Sequence, residues 1–227
     1  MDKLIVIAVD GHSACGKSTV SKDVAKELSL IYIDSGSMYR AVTLFCIHND
    51  VNIEDHQQVA EALESINIQF SKTAKGQTIL LNGEDVSDKI RTKEVNALVS
   101  QVAKISEVRS KLVETQRSFA KTESIIMDGR DIGTVAFPDA DVKFFLTAKL
   151  DIRTNRRYAE MQEKGIEGSL EFVQSNLQER DYIDSNRKDS PLKQADDALL
   201  IDNSELSQED QLEYILNIIE KQIREDA

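Results

Sequence analysis

The stretch GHSACGKST sets Gly11, Gly16, Lys17 and Ser18 in the spacing G-x-x-x-x-G-K-[ST], after an apolar β-branched run and before a helical pattern. That context is what the pattern needs in order to bind phosphate. A glycine-lined loop turns backbone N–H groups inward as an anion nest, and the helix that follows adds positive partial charge. Lys17 is expected to reach the β- and γ-phosphates of ATP and Ser18 to ligate Mg²⁺, while Ser13, Ala14, Cys15 and Thr19 complete the ATP-binding loop. Cys15 allows two readings, a small side chain that fits or a thiol activated by the surrounding N–H groups.

Phosphate binding alone does not separate a kinase from a GTPase or a motor. The chain has neither an N-K-x-D guanine-reading motif nor a D-x-x-G element after the third strand. It has arginines where loops and helices should surround the upper edge of a sheet, and phosphoryl transfer depends mainly on positioning and charge neutralisation. DSGSMYR carries Asp34, Ser35 and Arg40. In ERDYIDSNR, Arg180, Asp184 and Arg187 stand at i, i+4 and i+7, one face of a helix. Arg153, Arg156 and Arg157 lie in a polar segment with the character of a mobile lid. Taken singly, each group also reads as a surface ion pair. In IIMDGRDIG, Asp128 ends an apolar run where a P-loop enzyme's second acidic residue would support Mg²⁺; the alternative is a capping aspartate, and Gly129 is expected to permit a sharp bend.

These residues need a frame, and the hydrophobic pattern supplies one. KLIVIAV reads as a strand buried on both faces, with further strands at 30–33, 124–127, 142–146 and 198–201 and helical lengths between them. Alternation of this kind predicts a three-layer α/β P-loop fold on a parallel sheet, with ligands at the C-terminal ends of the strands. Residues 66–87 differ: INIQF alternates, KG can turn, TILL is β-prone and NGED signals a hairpin, so a small antiparallel insert is expected. Two helical patterns follow, the second with Ser106 as N-cap, and an acidic amphipathic helix closes the chain.

The length of 227 residues suits one main domain. Forty acidic against 28 basic residues give a net charge of -12, which argues against nucleic acid or an anionic membrane as partner. Two cysteines without metal-ligand spacing, and an apolar N-terminal run of only six residues, make the cytoplasm the expected location. The three histidines form no triad or metal pattern, and a monomer is expected.

From residue 5 to about 203 the sequence resembles the bacterial-type cytidylate kinases, a family of P-loop nucleoside monophosphate kinases. The matching stretches include DGHSACGKST, YIDSGSMYRAV, LNGEDVSDKIRTKEVNALVSQVA, DGRDIGTVAFPDADVKFFL, RRYAEMQEKG and ERDYIDSNRKDSPL. The chain departs mildly in TVAFPDA and in His12, where proline is usual. The resemblance implies transfer of the ATP γ-phosphate to CMP or dCMP with Mg²⁺. It also implies a five-stranded parallel sheet, an NMP-binding insert at about 36–105 and a helical lid at about 151–188 within a single kinase domain of residues 1–227. By matching position, Arg40 and Arg130 would hold the CMP phosphate with Arg187 nearby, and Ser35 would also belong to the CMP-binding set. Ser100, Arg109 and Asp131 would read cytosine, and Arg180 and Asp184 would contact the pentose. Lys17 and the lid arginines Arg153 and Arg157 would stabilise the transition state. A P-loop kinase of another acceptor, or a nucleotide-dependent regulatory module, remains the alternative on the residues alone.

Overall fold

A computed structural model describes residues 3–73, 76–163 and 165–225. The chain runs β1 (Val6–Gly11), α1 (Lys17–Glu27), β2 (Ile31–Asp34), α2 (Ser35–His48), α3 (His56–Glu64), β3 (Ile68–Thr73), β4 (Gly76–Leu81), β5 (Glu84–Asp85), α4 (Lys93–Val102) and α5 (Ser106–Phe119). It continues through β6 (Ile125–Gly129), a single π-type turn (Ile132–Ala136), β7 (Val142–Thr147), α6 (Leu150–Glu163), α7 (Leu170–Asn186), β8 (Leu199–Asp202) and α8 (Gln208–Glu225). Five strands form a parallel sheet in the order β2-β6-β1-β7-β8 and three form a second, antiparallel sheet in the order β3-β4-β5. Among the described residues no helix is long and apolar enough to cross a membrane.

Two compact units divide the chain: Met1–Tyr32 with Ala120–Ala227, and Ile33–Phe119, the boundary falling within β2. In the first, the β-branched residues of β1 sit at the centre of the large sheet, paired on one side with β6 and on the other with β7. Ile7, Val9, Ile126, Phe144 and Leu146 from the strands are packed with Val20 and Val24 of α1 and Ile215 and Ile219 of α8. A strand buried on both faces has no solvent side to alternate toward, which is why β1 reads as an unbroken apolar run. Each central strand gives way to polar residues at its C-terminal end, and there the chemistry collects.

In the second unit α2 packs against α3, α4 and α5. Its apolar residues Met38, Ala41, Val42 and Leu44 are buried, as are Val95, Val99 and Val102 of α4. Asn82-Gly83 joins β4 to β5, with φ of 52° and 85°, the positive pair that a two-residue hairpin turn requires. The Asn82 side chain holds the turn in place, its Oδ1 accepting from the Asn67 amide at 2.8 Å. The KG turn expected at the other hairpin involves Lys75, which lies outside the described residues. Ser106 is the first residue of α5, one position inside the N-cap place expected for it.

Candidate active site

The phosphate loop leaves β1 at Gly11, whose φ is 146° and whose Cβ, if it had one, would stand 2.0 Å from the Leu146 carbonyl oxygen of β7. Only glycine lets the loop start this close to the neighbouring strand. Gly16 closes the loop at φ 85° and stands at the N-cap of α1, so the amides that open the helix face the loop. Lys17 is 5 % exposed and its Nζ donates to the carbonyls of Gly11 at 2.9 Å and His12 at 2.6 Å. Burial lowers its pKa, and the nearby Arg130 guanidinium lowers it further. Cys15 is fully buried; its thiol donates to the His12 carbonyl at 3.0 Å and lies 3.7 Å from Lys17 Nζ.

Ser18 and Asp128 meet directly. The serine hydroxyl donates to Asp128 Oδ2 at 2.9 Å, and the Tyr32 hydroxyl donates to Oδ1 at 2.7 Å. Asp128 is in β6, in register with Val9 of β1, and so faces the loop from the adjacent strand. A carboxylate and a hydroxyl oxygen side by side suit a hard cation that keeps most of its water.

Immediately beyond, the charged stretch after β6 turns toward the loop. Arg130 donates from Nη2 to the Ser13 hydroxyl at 2.8 Å and from Nε to Asp184 Oδ2 at 2.8 Å. Burial opposes its charge, but Asp184 outweighs burial and raises its pKa. Asp184 is pulled upward by burial, yet its pKa is lowered overall by Arg130, Arg187 and Arg180. Arg187, at the end of α7, lies 3.5 Å from Asp131 Oδ1 and 3.9 Å from Asp184 Oδ1. Thus Arg130, Asp131, Asp184 and Arg187 form one alternating cluster of charges beside Ser13, and Arg180 contributes to its field. Gly129 does not supply the bend expected of it: the positive-φ glycines of the described residues are Gly11, Gly16, Gly83 and Gly165. The chain turns instead at Asp131, φ -148° and ψ 27°.

The expected lid arginines divide. Arg153 is 7 % exposed and is bonded to the loop itself: it donates to the Ser13 carbonyl at 3.2 Å and pairs with Asp181 of α7, whose Oδ1 accepts from the Ser13 amide at 3.2 Å. Arg156 donates to the Asn203 side chain and carbonyl, each at 2.9 Å. Arg157 is half-buried and pairs with Glu160 at 2.7 Å.

In the second unit, Asp34 caps α2 by accepting from the Ser37 amide at 3.0 Å. Ser35 is buried in the first turn of that helix and Arg40 is half-buried one turn on. Ser100 is half-buried on α4. Arg109 is 4 % exposed, donates to the Ala103 carbonyl at 3.0 Å and lies over the Tyr39 ring with 5.4 Å to its centroid.

Four participants were absent from the sequence reading: Asp10, Tyr32, Asp181 and Asn203. Asn203, fully buried just after β8, donates to the Cys15 carbonyl at 2.7 Å and so supports the loop from a remote part of the chain. The available signal was position, since Asp10 and Asn203, like Asp128, sit at or just after the C-terminal end of a strand of the parallel sheet.

A phosphate loop, a partnered Ser–Asp pair and an arginine–carboxylate cluster at the C-terminal ends of a parallel sheet define a P-loop nucleotide-binding α/β protein. The sequence model of the cytidylate kinase family matches residues 7–221. A cytidylate kinase of Bacteroides thetaiotaomicron is 48 % identical over 98 % of this chain and 100 % of its own length. One of Bacillus cereus is 47 % identical over 96 % of this chain and 97 % of its own. The chain belongs to the cytidylate kinase family. In fold it is similar to an uncharacterized protein of Eubacterium ventriosum whose crystal structure covers 96 % of this chain and 99 % of its own, with a TM-score of 0.52 at 13 % identity.

Proposed function

We infer that the protein is a (d)CMP kinase: it transfers the γ-phosphate of ATP to CMP or dCMP, giving CDP or dCDP and ADP. The observation that carries this reading, beside family membership, is Arg130, whose guanidinium spans the phosphate loop at Ser13 and the carboxylate of Asp184. A cation between the donor's loop and an acidic cluster is where an acceptor phosphate can be held against its own repulsion from ATP.

In this reading the loop amides and Lys17 hold the ATP phosphates, with Lys17 exchanging its carbonyl partners for phosphate oxygens. Mg²⁺ would be held by Ser18 directly and by Asp128, whose oxygen-only pairing fits it, and when bound it would neutralise charge on the transferring group. The acceptor oxygen belongs to an ionised phosphate, so no strong general base is needed. Within the first unit, Arg130 and Arg187 are assigned to the CMP phosphate, Asp131 to the base, and Arg180 and Asp184 to the pentose. Within the second, Arg40 and Ser35 are assigned to the phosphate, and Arg109 and Ser100 to the base. Cytosine presents an N4 amino donor beside the N3 and O2 acceptors, which a carboxylate and a guanidinium complement. Uracil reverses the pattern at two positions and would leave both groups mispaired. Arg153 and Arg157 are assigned to transition-state charge, with the helical segment of α6 and α7 acting as the lid that excludes water. Cys15 and Cys46 are buried free thiols, in keeping with a reducing cytoplasm.

The test is a coupled ADP-release assay with CMP, dCMP, UMP, AMP and GMP as acceptors. CMP and dCMP are expected to turn over fastest; no CDP or dCDP from either would overturn the reading.

A further inference from the structure

Asp10 is the penultimate residue of β1, directly before Gly11 where the loop begins, is 4 % exposed, and is used by none of the roles above. Its two oxygens are divided between two backbone amides: Oδ1 accepts from Ile132 at 2.8 Å and Oδ2 from Gly133 at 2.7 Å. These are the amides that directly follow Arg130 and Asp131, and they open the turn Ile132–Ala136. The first amides of such a turn have no partner within it, so a buried acceptor is the alternative to an unsatisfied pair.

The other side of the turn is also bounded. A Cβ on Gly133 would stand 3.2 Å from Cδ of Lys143 and 3.4 Å from Asp10 Oδ2. Lys143 is itself buried on β7, with its ammonium donating to Asp197 at 2.6 Å and to the Pro138 carbonyl. The turn is therefore gripped from β1 and blocked by β7.

We propose that Asp10 is a positioning residue for the acceptor: by holding the amides of Ile132 and Gly133 it fixes the direction in which Arg130 and Asp131 leave β6. It touches no substrate and acts through those two side chains. Asp10 stands next to Gly11 in sequence, so the frame that starts the ATP loop also sets the acceptor residues. Displacements of an ångström at such positions are felt strongly in phosphoryl transfer. The inference rests on the reading of the protein as a (d)CMP kinase.

Asp10→Asn keeps the shape of the side chain and sets an amide N–H against a backbone N–H. Steady-state constants for CMP and ATP are measured at about pH 8, above the value of about 7 to which burial pushes this carboxyl, so that wild-type Asp10 is ionised. The expected result is a CMP KM raised about ten-fold with the ATP KM changed less than about two-fold. Gly133→Ala, which presses on the same turn from the Lys143 side, is expected to shift the CMP KM in the same direction, and it reads the proposal if Asp10→Asn does not fold. Equal rises in both KM values, or a loss of kcat alone, would show a merely structural role and overturn it. Wild-type turnover in the same series stands apart: if it forms no CDP or dCDP, the functional reading falls and the inference with it, whereas active wild type with unselective variants removes the inference alone.

Discussion

Asp10 and Asp184 are both buried carboxyls in the first unit, and they titrate in opposite directions. Burial raises Asp10 to about 7 against the two amide bonds it accepts, with Asp131 adding to the rise. At Asp184 burial also pushes upward, but Arg130, Arg187 and Arg180 reverse the outcome. The signs for stability follow. Asp184 contributes stability above the ordinary aspartate value of 3.8, and loses it as pH falls through the lower folded value. Asp10 contributes most below 3.8 and loses its contribution as pH rises through about 7. A rise from 3.8 to about 7 corresponds to a loss of order 4 kcal/mol across that interval. Urea unfolding from about pH 4 to about pH 8 checks this: Asp10→Asn should flatten the decline in stability with pH, and an unchanged slope would refute it. At Arg109 the consequence is selectivity. Its guanidinium is fixed by the Ala103 carbonyl and the Tyr39 ring, so Arg109→Met, if Arg109 reads the base, should raise the CMP KM about ten-fold or more and leave the ATP KM nearly unchanged. Equal effects on both would assign it to packing.

At the scale of elements, the end of β8 is tied to the loop by one side chain. Asn203 donates to the Cys15 carbonyl and to Gln211 of α8, and accepts from Arg156 of α6. Asn203→Ala leaves a buried loop carbonyl unsatisfied and removes one of the two bonds that Arg156 makes to residue 203, the one to the backbone carbonyl being kept. It should cost about 1–3 kcal/mol and raise the ATP KM more than the CMP KM, measured by urea unfolding and initial rates. The sequence made the strands and the loop legible, because a strand buried on both faces is an unbroken apolar run and a phosphate loop has fixed spacing. NGED announced its hairpin for an equally local reason, the positive φ at two successive residues. The Asn203 link was not legible, since it joins residues 188 positions apart. The crossed order β2-β6-β1-β7-β8 is likewise decided by long-range pairing. Gly129 misled because a glycine beside a charged turn suggests a bend, while the two amides held by Asp10 put the bend at Asp131.

For the whole molecule, the net charge of -12 sets the field that anionic substrates cross before any local cation reaches them. The cations of the first unit's site do not present an open positive surface: Arg130 is paired with Asp184, Arg153 with Asp181, Arg157 with Glu160, and Arg187 lies against Asp131. Paired in this way, they neutralise at short range and steer little at long range. The Debye length is about 30 Å at 0.01 M salt, so the summed negative charge is felt at distances comparable with the protein's size; at 0.15 M it is about 8 Å and that repulsion is largely screened. Partly buried ion pairs are screened far less. The association rate of CMP should therefore rise a few-fold with salt over this range, opposite to an enzyme that steers its substrate in by an exposed positive surface. Stopped-flow binding of CMP to the intact protein at a series of sodium chloride concentrations measures it. A rate that falls steadily with salt would mean that positive groups dominate the approach despite their pairing, and that the net charge is not what the incoming nucleotide meets.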